Sequence, residues 1–322
     1  MIYTVTLNPS LDRTLAVPRI VDDEMVRATA SRLDWGGKGL NVSRVLQGLG
    51  GESVALGFAG GMSGQMLERG LRALGITTDL VSLSGETRTN TVVLESETGR
   101  YIKVNEPGPT VQPEEQSALL DRVRRYLGSR DLWVMAGSLP PGLADGFYAE
   151  LVEMVHAAGA RAFLDASGEP LRLGCAAAPF LVKPNATEAA TLARGARGAI
   201  FEAGTDGNAL ADPDALDLAR FFLAFGIELV ALSLGAGGLL LASAERAVRA
   251  RPPGGQARNP VGAGDALLAG VIWALEQDRS LEKVARWGVA TGTASAMGIG
   301  VAAVTRAEVQ ALYEQVAAYA VA

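Results

Sequence analysis

The alternation of two kinds of segment constrains this chain most. Short, almost continuously apolar runs recur along it: IYTVTL (2–7), SVALGF (53–58), LWVMAG (132–137), ARAFLDA (160–166), PFLVKP (179–184) and ELVALSLG (228–235). Between them lie stretches of helical periodicity: NVSRVLQGLG (41–50), GQMLERGLRALG (64–75), EEQSALLDRVRRYL (114–127), YAELVEMVHAAG (148–159) and DALDLARFFLAFG (214–226). A strand that is apolar on both faces must be covered on both, and helices linking parallel strands supply that cover. The pattern predicts an α/β fold, a doubly wound, mainly parallel sheet flanked by helices. Ligands in such folds bind at the carboxyl ends of the strands. At 322 residues, 48% of them hydrophobic, the chain can form one large domain or two smaller ones.

Two segments depart from the alternation. Arg13–Trp35 and Thr87–Gly108 read as half-exposed antiparallel strands, the second with a hairpin break near Glu97–Arg100. Together they predict one small sheet over the mouth of the main domain, acting as a lid or as a homodimer surface. Arg194–Asp214 reads as an irregular surface segment, and no internal repeat is evident.

A net charge of −6 argues against a general nucleic-acid binder. The only cysteine, Cys175, allows no intrachain disulfide and reads as a small buried residue in a reducing compartment. The N-terminal segment lacks the basic start and apolar core of a signal peptide, and no apolar run is long enough to span a bilayer. The expectation is a cytoplasmic protein without a membrane partner. The single histidine, His156, lies late in an amphipathic helix, which disfavours histidine-based triads and metal sites. A carboxylate is then the leading candidate for proton transfer.

Four motifs carry chemistry. In NPVGAGDALLAG (259–270), Gly262, Ala263 and Gly264 permit a tight turn whose amides can hold phosphate oxygens, and Asp265 opens a helix. Asp265 is either a helix cap or a base beside an anion site, and the latter suits phosphoryl transfer to a hydroxyl. No Gly-Lys-Ser/Thr follows, so this is not a P-loop. In WGGKGLNVSRVL (35–46), Lys38 offers a point charge for phosphate among Gly36, Gly37 and Gly39, and Asn41 can bond a polyol. In KPNATEA (183–189), Asn185 and Glu188 stand three apart, on one face of a helix, where they could orient waters around Mg²⁺. Helix capping by Asn185 explains the same pair. SLGAGGLLLA (233–242) is a strand with a glycine-rich turn, either ordinary or phosphate-binding.

In this order and over nearly the whole chain, the motifs resemble the ribokinase-like phosphofructokinase-B family of carbohydrate kinases. GGKGLN corresponds to the family's N-terminal signature and NPVGAGD to its C-terminal one. The resemblance implies a single ribokinase-like domain over 1–322, with lid insertions at about 13–35 and 87–108. It implies ATP and Mg²⁺ as cofactors and a phosphorylated ketohexose as partner. Asp265 would be the catalytic base and the Gly262–Gly264 amides the anion hole. Lys183, Asn185, Ser233, Gly235 and Gly238 would serve ATP, and Glu188 with Asn185 would hold Mg²⁺ through water. On the acceptor side it implies Asp12, Gly37 and Asn41 for sugar hydroxyls, and Lys38 and Arg88 for an acceptor phosphate. Lys103 and Ser138 complete that set. The segment RWGVATGTASAMGIG (286–300) resembles the helix lining the adenine pocket.

MIYTVTLNPSLD and GETR resemble the 1-phosphofructokinase and tagatose-6-phosphate kinase branch about equally. Asn259-Pro260 stands where the family often has Asp-Thr, and is reminiscent of tagatose-6-phosphate kinases. Fructose 1-phosphate is the expected acceptor, with tagatose 6-phosphate or fructose 6-phosphate as alternatives. A non-catalytic sugar or nucleotide sensor need not keep the base. A dehydrogenase would need a Gly-x-Gly-x-x-Gly between a first strand and helix, which the chain does not supply.

Overall fold

The computed structural model describes residues 1–197, 210–254, 261–298 and 304–321. The chain opens with β1 (Ile2–Thr6), β2 (Ser10–Val17), β3 (Ala30–Gly36), α1 (Lys38–Gly48), β4 (Ser53–Gly60), α2 (Gly61–Ala73) and β5 (Thr77–Leu83). It continues through β6 (Arg88–Glu95), β7 (Tyr101–Val104), α3 (Pro113–Tyr126), β8 (Leu132–Ala136), α4 (Phe147–Ala157), β9 (Arg161–Asp165) and α5 (Gly168–Ala176). Then come β10 (Leu181–Val182), α6 (Ala186–Arg197), α7 (Asp212–Leu223), β11 (Leu229–Ser233), β12 (Leu239–Ala242) and β13 (Ala247–Arg251). The last elements are α8 (Ala263–Glu276), α9 (Leu281–Met297), α10 (Arg306–Tyr313) and β14 (Ala317–Val321).

The main sheet has the order β14-β13-β12-β11-β10-β9-β8-β1-β4-β5. Its strands from β11 to β5 are parallel, and β12, β13 and β14 add an antiparallel edge. Every strand expected from an apolar run lies in the parallel part. The reason is visible in the two cores. On one face Trp133, Met135 and Leu164 pack with Leu151 of α4 and Phe222 of α7. On the other, Val134 and Phe163 pack with Val45 of α1 and Leu268 of α8. Successive residues of one strand thus enter opposite cores, which demands an unbroken apolar run. Cys175 is buried in the first core, and burial pushes its thiol up to about 12.

The two exceptional segments form a separate sheet, β3-β2-β6-β7. Strand β2 pairs antiparallel with β3 and parallel with β6, and β6 turns back into β7. The first insertion starts slightly earlier than its polarity suggested, at Ser10, because the buried start of β2 still belongs to the core. The expected hairpin break falls between β6 and β7. Of the irregular segment, residues 198–209 lie outside the described residues, as do Asn259-Pro260 and Ile299-Gly300. Residues 212–214 begin α7 and 194–197 end α6. Among the described residues no helix is long and apolar enough to cross a membrane.

Candidate active site

The parallel strands deliver their C-terminal ends to one edge, where some of the sequence-selected groups, Lys38, Lys183 and Asp265, meet around Asp165. Asp165 ends β9, Lys183 follows β10, and Ser233 ends β11. Helix α8 starts from Gly262, whose φ of 80° is left-handed, as a glycine readily adopts. Ala263, Gly264 and Asp265 form its first turn, where backbone amides have no intrahelical partner.

Asp265 is 7% exposed, and Asn41 Nδ2 of α1 donates to its Oδ2 at 2.8 Å. Burial and the nearby charge of Asp165 push its carboxyl up to about 6, against the Asn41 hydrogen bond and the positive charges of Lys38 and Lys183. Asp165 is 1% exposed. Lys38 Nζ donates to its Oδ1 at 2.8 Å, and Lys183 Nζ lies 3.0 Å from its Oδ2. Burial opposes the charge on Asp165, but Lys183 and Lys38 outweigh it and hold the carboxyl below its ordinary range. Burial likewise opposes the charge on Lys38, and Asp165 more than restores it, raising the ammonium above the usual lysine value. A Cβ added to Gly264 would stand 3.6 Å from Lys183 Nζ, so that ammonium sits against the first turn of α8.

Sequence inspection passed over Asp165. Its signal was a charged residue closing the apolar run ARAFLDA, at the strand end where a doubly wound sheet builds its site. The fold also gives Lys38 and Lys183 a common partner, although their motifs are far apart in sequence.

The glycines at the start of α1 answer to packing. Gly37 has a φ of 129°, and a Cβ there would meet Thr6 Cγ2 at 2.7 Å. A Cβ on Gly36 would strike Asp12 Oδ2 at 2.4 Å. Asp12 lies half-buried on β2, where Ser10 Oγ and Asn90 Nδ2 donate to its Oδ1 at 2.8 and 2.9 Å. Asn90, in β6, is a second residue that sequence inspection passed over, although it lies in the quoted run TRTN. Arg88, at the start of β6, donates to Glu106 O at 3.0 Å and Asn8 O at 2.9 Å. Its pKa is lowered by burial, in part offset by Asp12 and Glu106. A cleft of about 530 Å³ opens beside it, lined in part by Glu86, Glu106 and Gly108. Ser138 is exposed after β8, with Asn8 Nδ2 3.4 Å from its Oγ. Lys103 stands exposed on the edge strand β7, paired with Val92 in register.

Asn185 and Glu188 form a reciprocal capping box on α6. Asn185 N donates to Glu188 Oε2 at 2.9 Å, and Glu188 N to Asn185 Oδ1 at 2.8 Å. Both carboxylate and amide remain at the surface beside the Lys38 cluster, since Glu188 contributes to the field at Lys38. Among the described residues no group of three or more acidic, histidine or cysteine ligands could enclose a metal. The donor set fits Mg²⁺ held largely through its own water and a substrate's phosphates. Ser233 N and Oγ both donate to Pro184 O, tying the start of the SLGAGG turn to the residue before Asn185. Gly235 and Gly238 have φ of 56° and 88°.

The family model for pfkB carbohydrate kinases matches residues 5–307. A 1-phosphofructokinase of Xanthomonas campestris pv. campestris is 37% identical over 289 residues, covering 88% of this chain and 87% of its own. An ATP-dependent 6-phosphofructokinase isozyme 2 of Mycobacterium tuberculosis is 34% identical, over 97% of this chain and 89% of the relative. The crystal structure of phosphofructokinase-2 from Escherichia coli, in complex with substrates and products, superposes with a TM-score of 0.89 at 30% identity. It covers 97% of this chain and 98% of that one.

Proposed function

Since this chain belongs to the pfkB family of carbohydrate kinases, we propose that it uses ATP to phosphorylate fructose 1-phosphate at its 6-hydroxyl. The observation that carries this reading is Asp265, a buried carboxylate with its pKa pushed up to about 6. It stands in the first turn of α8, in the field of two lysines that share Asp165.

Asn41 occupies Oδ2 of Asp265 and leaves Oδ1 to take the proton of the acceptor hydroxyl. As that proton leaves, the hydroxyl oxygen bonds to the γ-phosphorus of ATP. The bond from phosphorus to the bridging oxygen breaks, and ADP departs with the electron pair. The Gly262–Gly264 amides meet the charge of the transferred group, where fixed donors need no reorganisation. Lys38 and Lys183 offset the charges of Asp165 and the ionised Asp265 and present two cationic heads to the phosphates. Asn185 and Glu188 would hold Mg²⁺ through water, and the ion would neutralise phosphate charge when bound. Asp12, Gly37 and Asn41 orient the sugar hydroxyls. Arg88, Lys103 and Ser138 serve the acceptor's phosphate end, Arg88 with its guanidinium already braced by two carbonyls. Ser233, Gly235 and Gly238 form the turn that takes ATP phosphates.

The small sheet acts as a lid that limits hydrolysis of ATP by water. Its β7 edge exposes Tyr101, Ile102 and Val104, which supports a homodimer formed through this sheet. The reaction belongs in the cytoplasm, where ATP and sugar phosphates are at hand.

The test is ADP release with Mg·ATP against fructose 1-phosphate, tagatose 6-phosphate, fructose 6-phosphate and free fructose, compared by kcat/KM. Fructose 1-phosphate is expected to lead. A lead for either 6-phosphate would reassign the acceptor, and a lead for free fructose would remove the phosphate roles of Lys38 and Arg88.

A further inference from the structure

Away from the reacting centre, one buried cation has no part in the chemistry above. Arg249, in the middle of β13, is 1% exposed. It faces the core that holds Leu240 and Ala247 rather than solvent. Its Nη2 donates to the carbonyl oxygen of Gly237 at 3.0 Å, in the turn between β11 and β12. Its Nη1 lies 3.6 Å from Oδ1 of Asp212, the first residue of α7. Asp212 is held in turn by β14, whose Tyr319 hydroxyl donates to Oδ2 at 2.9 Å. Arg251 completes the cluster, donating through Nε to Tyr319 Oη at 3.1 Å with Nη2 3.7 Å from Asp212 Oδ1.

Burying a guanidinium costs desolvation that an apolar side chain of similar volume would avoid. Among the described residues, Arg249 Nε and Nη1 receive no hydrogen-bond partner, so the site is not optimised for stability. What the side chain does accomplish is to fix one peptide of the Gly235–Gly238 turn. The same strand braces the next residue through its backbone: Gly238 approaches so closely that a Cβ there would stand 2.1 Å from Ala250 O. The turn therefore rests on β13 at two consecutive residues, one contact made by a charged side chain and one by main chain.

We propose that Arg249 is a positioning residue for the nucleotide, tying the Gly235–Gly238 turn in place to α7 and β14 through Asp212 and Tyr319. This inference rests on the assignment of that turn to ATP phosphates. Without this hydrogen bond the turn keeps its own backbone bonds, Gly237 N to Leu234 O at 2.8 Å and Gly238 N to Gly235 O at 3.0 Å, but it loses its tie to Asp212 and must be aligned by ATP itself.

Kinetics of the full-length enzyme test it. Arg249→Met should raise KM for ATP about 10-fold, the scale of a charge-assisted hydrogen bond, with acceptor KM and kcat held within about 3-fold. Arg249→Lys, which can still donate to Gly237 O, should recover part of the loss. An unchanged KM for ATP in folded Arg249→Met, or equal rises in both KM values, would overturn the proposal. If Arg249→Met does not fold, Asp212→Asn is measured instead. A selective rise in KM for ATP of about 3-fold then supports the proposal, and no rise overturns it. Gly235→Asp separates the two assignments, since aspartate tolerates a φ near 56° and adds a negative charge to the turn. If Gly235→Asp leaves KM for ATP unchanged, the turn does not serve the nucleotide and the premise fails. If it raises KM while Arg249→Met does not, only the role of Arg249 falls.

Discussion

At the scale of single residues, the site is a problem of four charges in a small volume. Asp165 and Asp265 cannot both ionise cheaply when buried, and the two lysines decide which does. Both lysines contact Asp165, so it stays ionised, while Asp265 has one neutral amide and a raised pKa of about 6. A base needs its proton absent, so kcat/KM should rise with pH through a limb near 6 and level off above 7. Stability should move the other way. The folded pKa of Asp265 exceeds its unfolded value of about 3.9, so its contribution is complete below about pH 4 and is lost as pH rises through 6. Asp265→Asn should therefore lower kcat by about 10³-fold, with ATP binding retained. It should also raise Tm relative to the parent by more at pH 7.5 than at pH 5. Thermal melts at both pH values check the sign, and near-normal turnover would remove Asp265 as the base. Arg88 makes a complementary case. Its side chain is braced by Asn8 and Glu106 before any ligand arrives, so Arg88→Ala should raise the acceptor KM by about 10-fold or more and leave KM for ATP nearly unchanged.

Secondary-structure elements set a second kind of compromise, in which one motif serves both folding and binding. Asn185 and Glu188 cap α6, and the Glu188 carboxylate also acts on Lys38 of the cluster at the sheet edge. Helix capping and magnesium handling are separable by charge. Glu188→Gln keeps an acceptor for the Asn185 amide, because glutamine also completes a capping box. Its Tm should stay within about 2 °C of the parent, while the Mg²⁺ concentration giving half-maximal rate should rise several-fold. A magnesium titration at fixed ATP, read beside a thermal melt, distinguishes the roles. A lower Tm with an unchanged magnesium requirement would leave the pair as a cap alone. The start of α8 follows the same logic: Gly262 adopts the left-handed turn, and the helix then presents unpaired amides where Asp265 also sits.

Across the whole molecule, two sheets divide the work. The ten-stranded sheet provides the rigid edge from which Asp165, Lys183 and Ser233 project, and the four-stranded sheet carries Asp12, Arg88 and Asn90. In the proposed reading the small sheet closes over the site, and a second copy covers its outer face. Ile102 is 49% exposed on β7 between Tyr101 and Lys103, with no role in either core. Ile102→Asp should shift the protein from dimer to monomer in sedimentation velocity and raise the acceptor KM. A monomeric parent, or a dimer indifferent to this change, would put the interface elsewhere.

Periodicity and motif spacing alone determined much of this. A run apolar on both faces needs cover on both faces, so the layered parallel sheet was legible without coordinates. The glycine-rich turns and Asp265 were legible too, because a left-handed φ or a close approach restricts residue choice locally. Asp165 was not legible as a partner of Lys38 and Lys183, which are 127 and 18 positions away from it in sequence. Its ionisation, like the raised pKa of Asp265, depends on charges that only three strand ends and a helix start bring together. Arg249 lies outside every motif read from the sequence, and the fold buries it under the Gly237 carbonyl. Local sequence encodes backbone conformation and burial pattern, which act over a few residues. Electrostatic partnership acts through space, and only the tertiary structure decides which charges are neighbours.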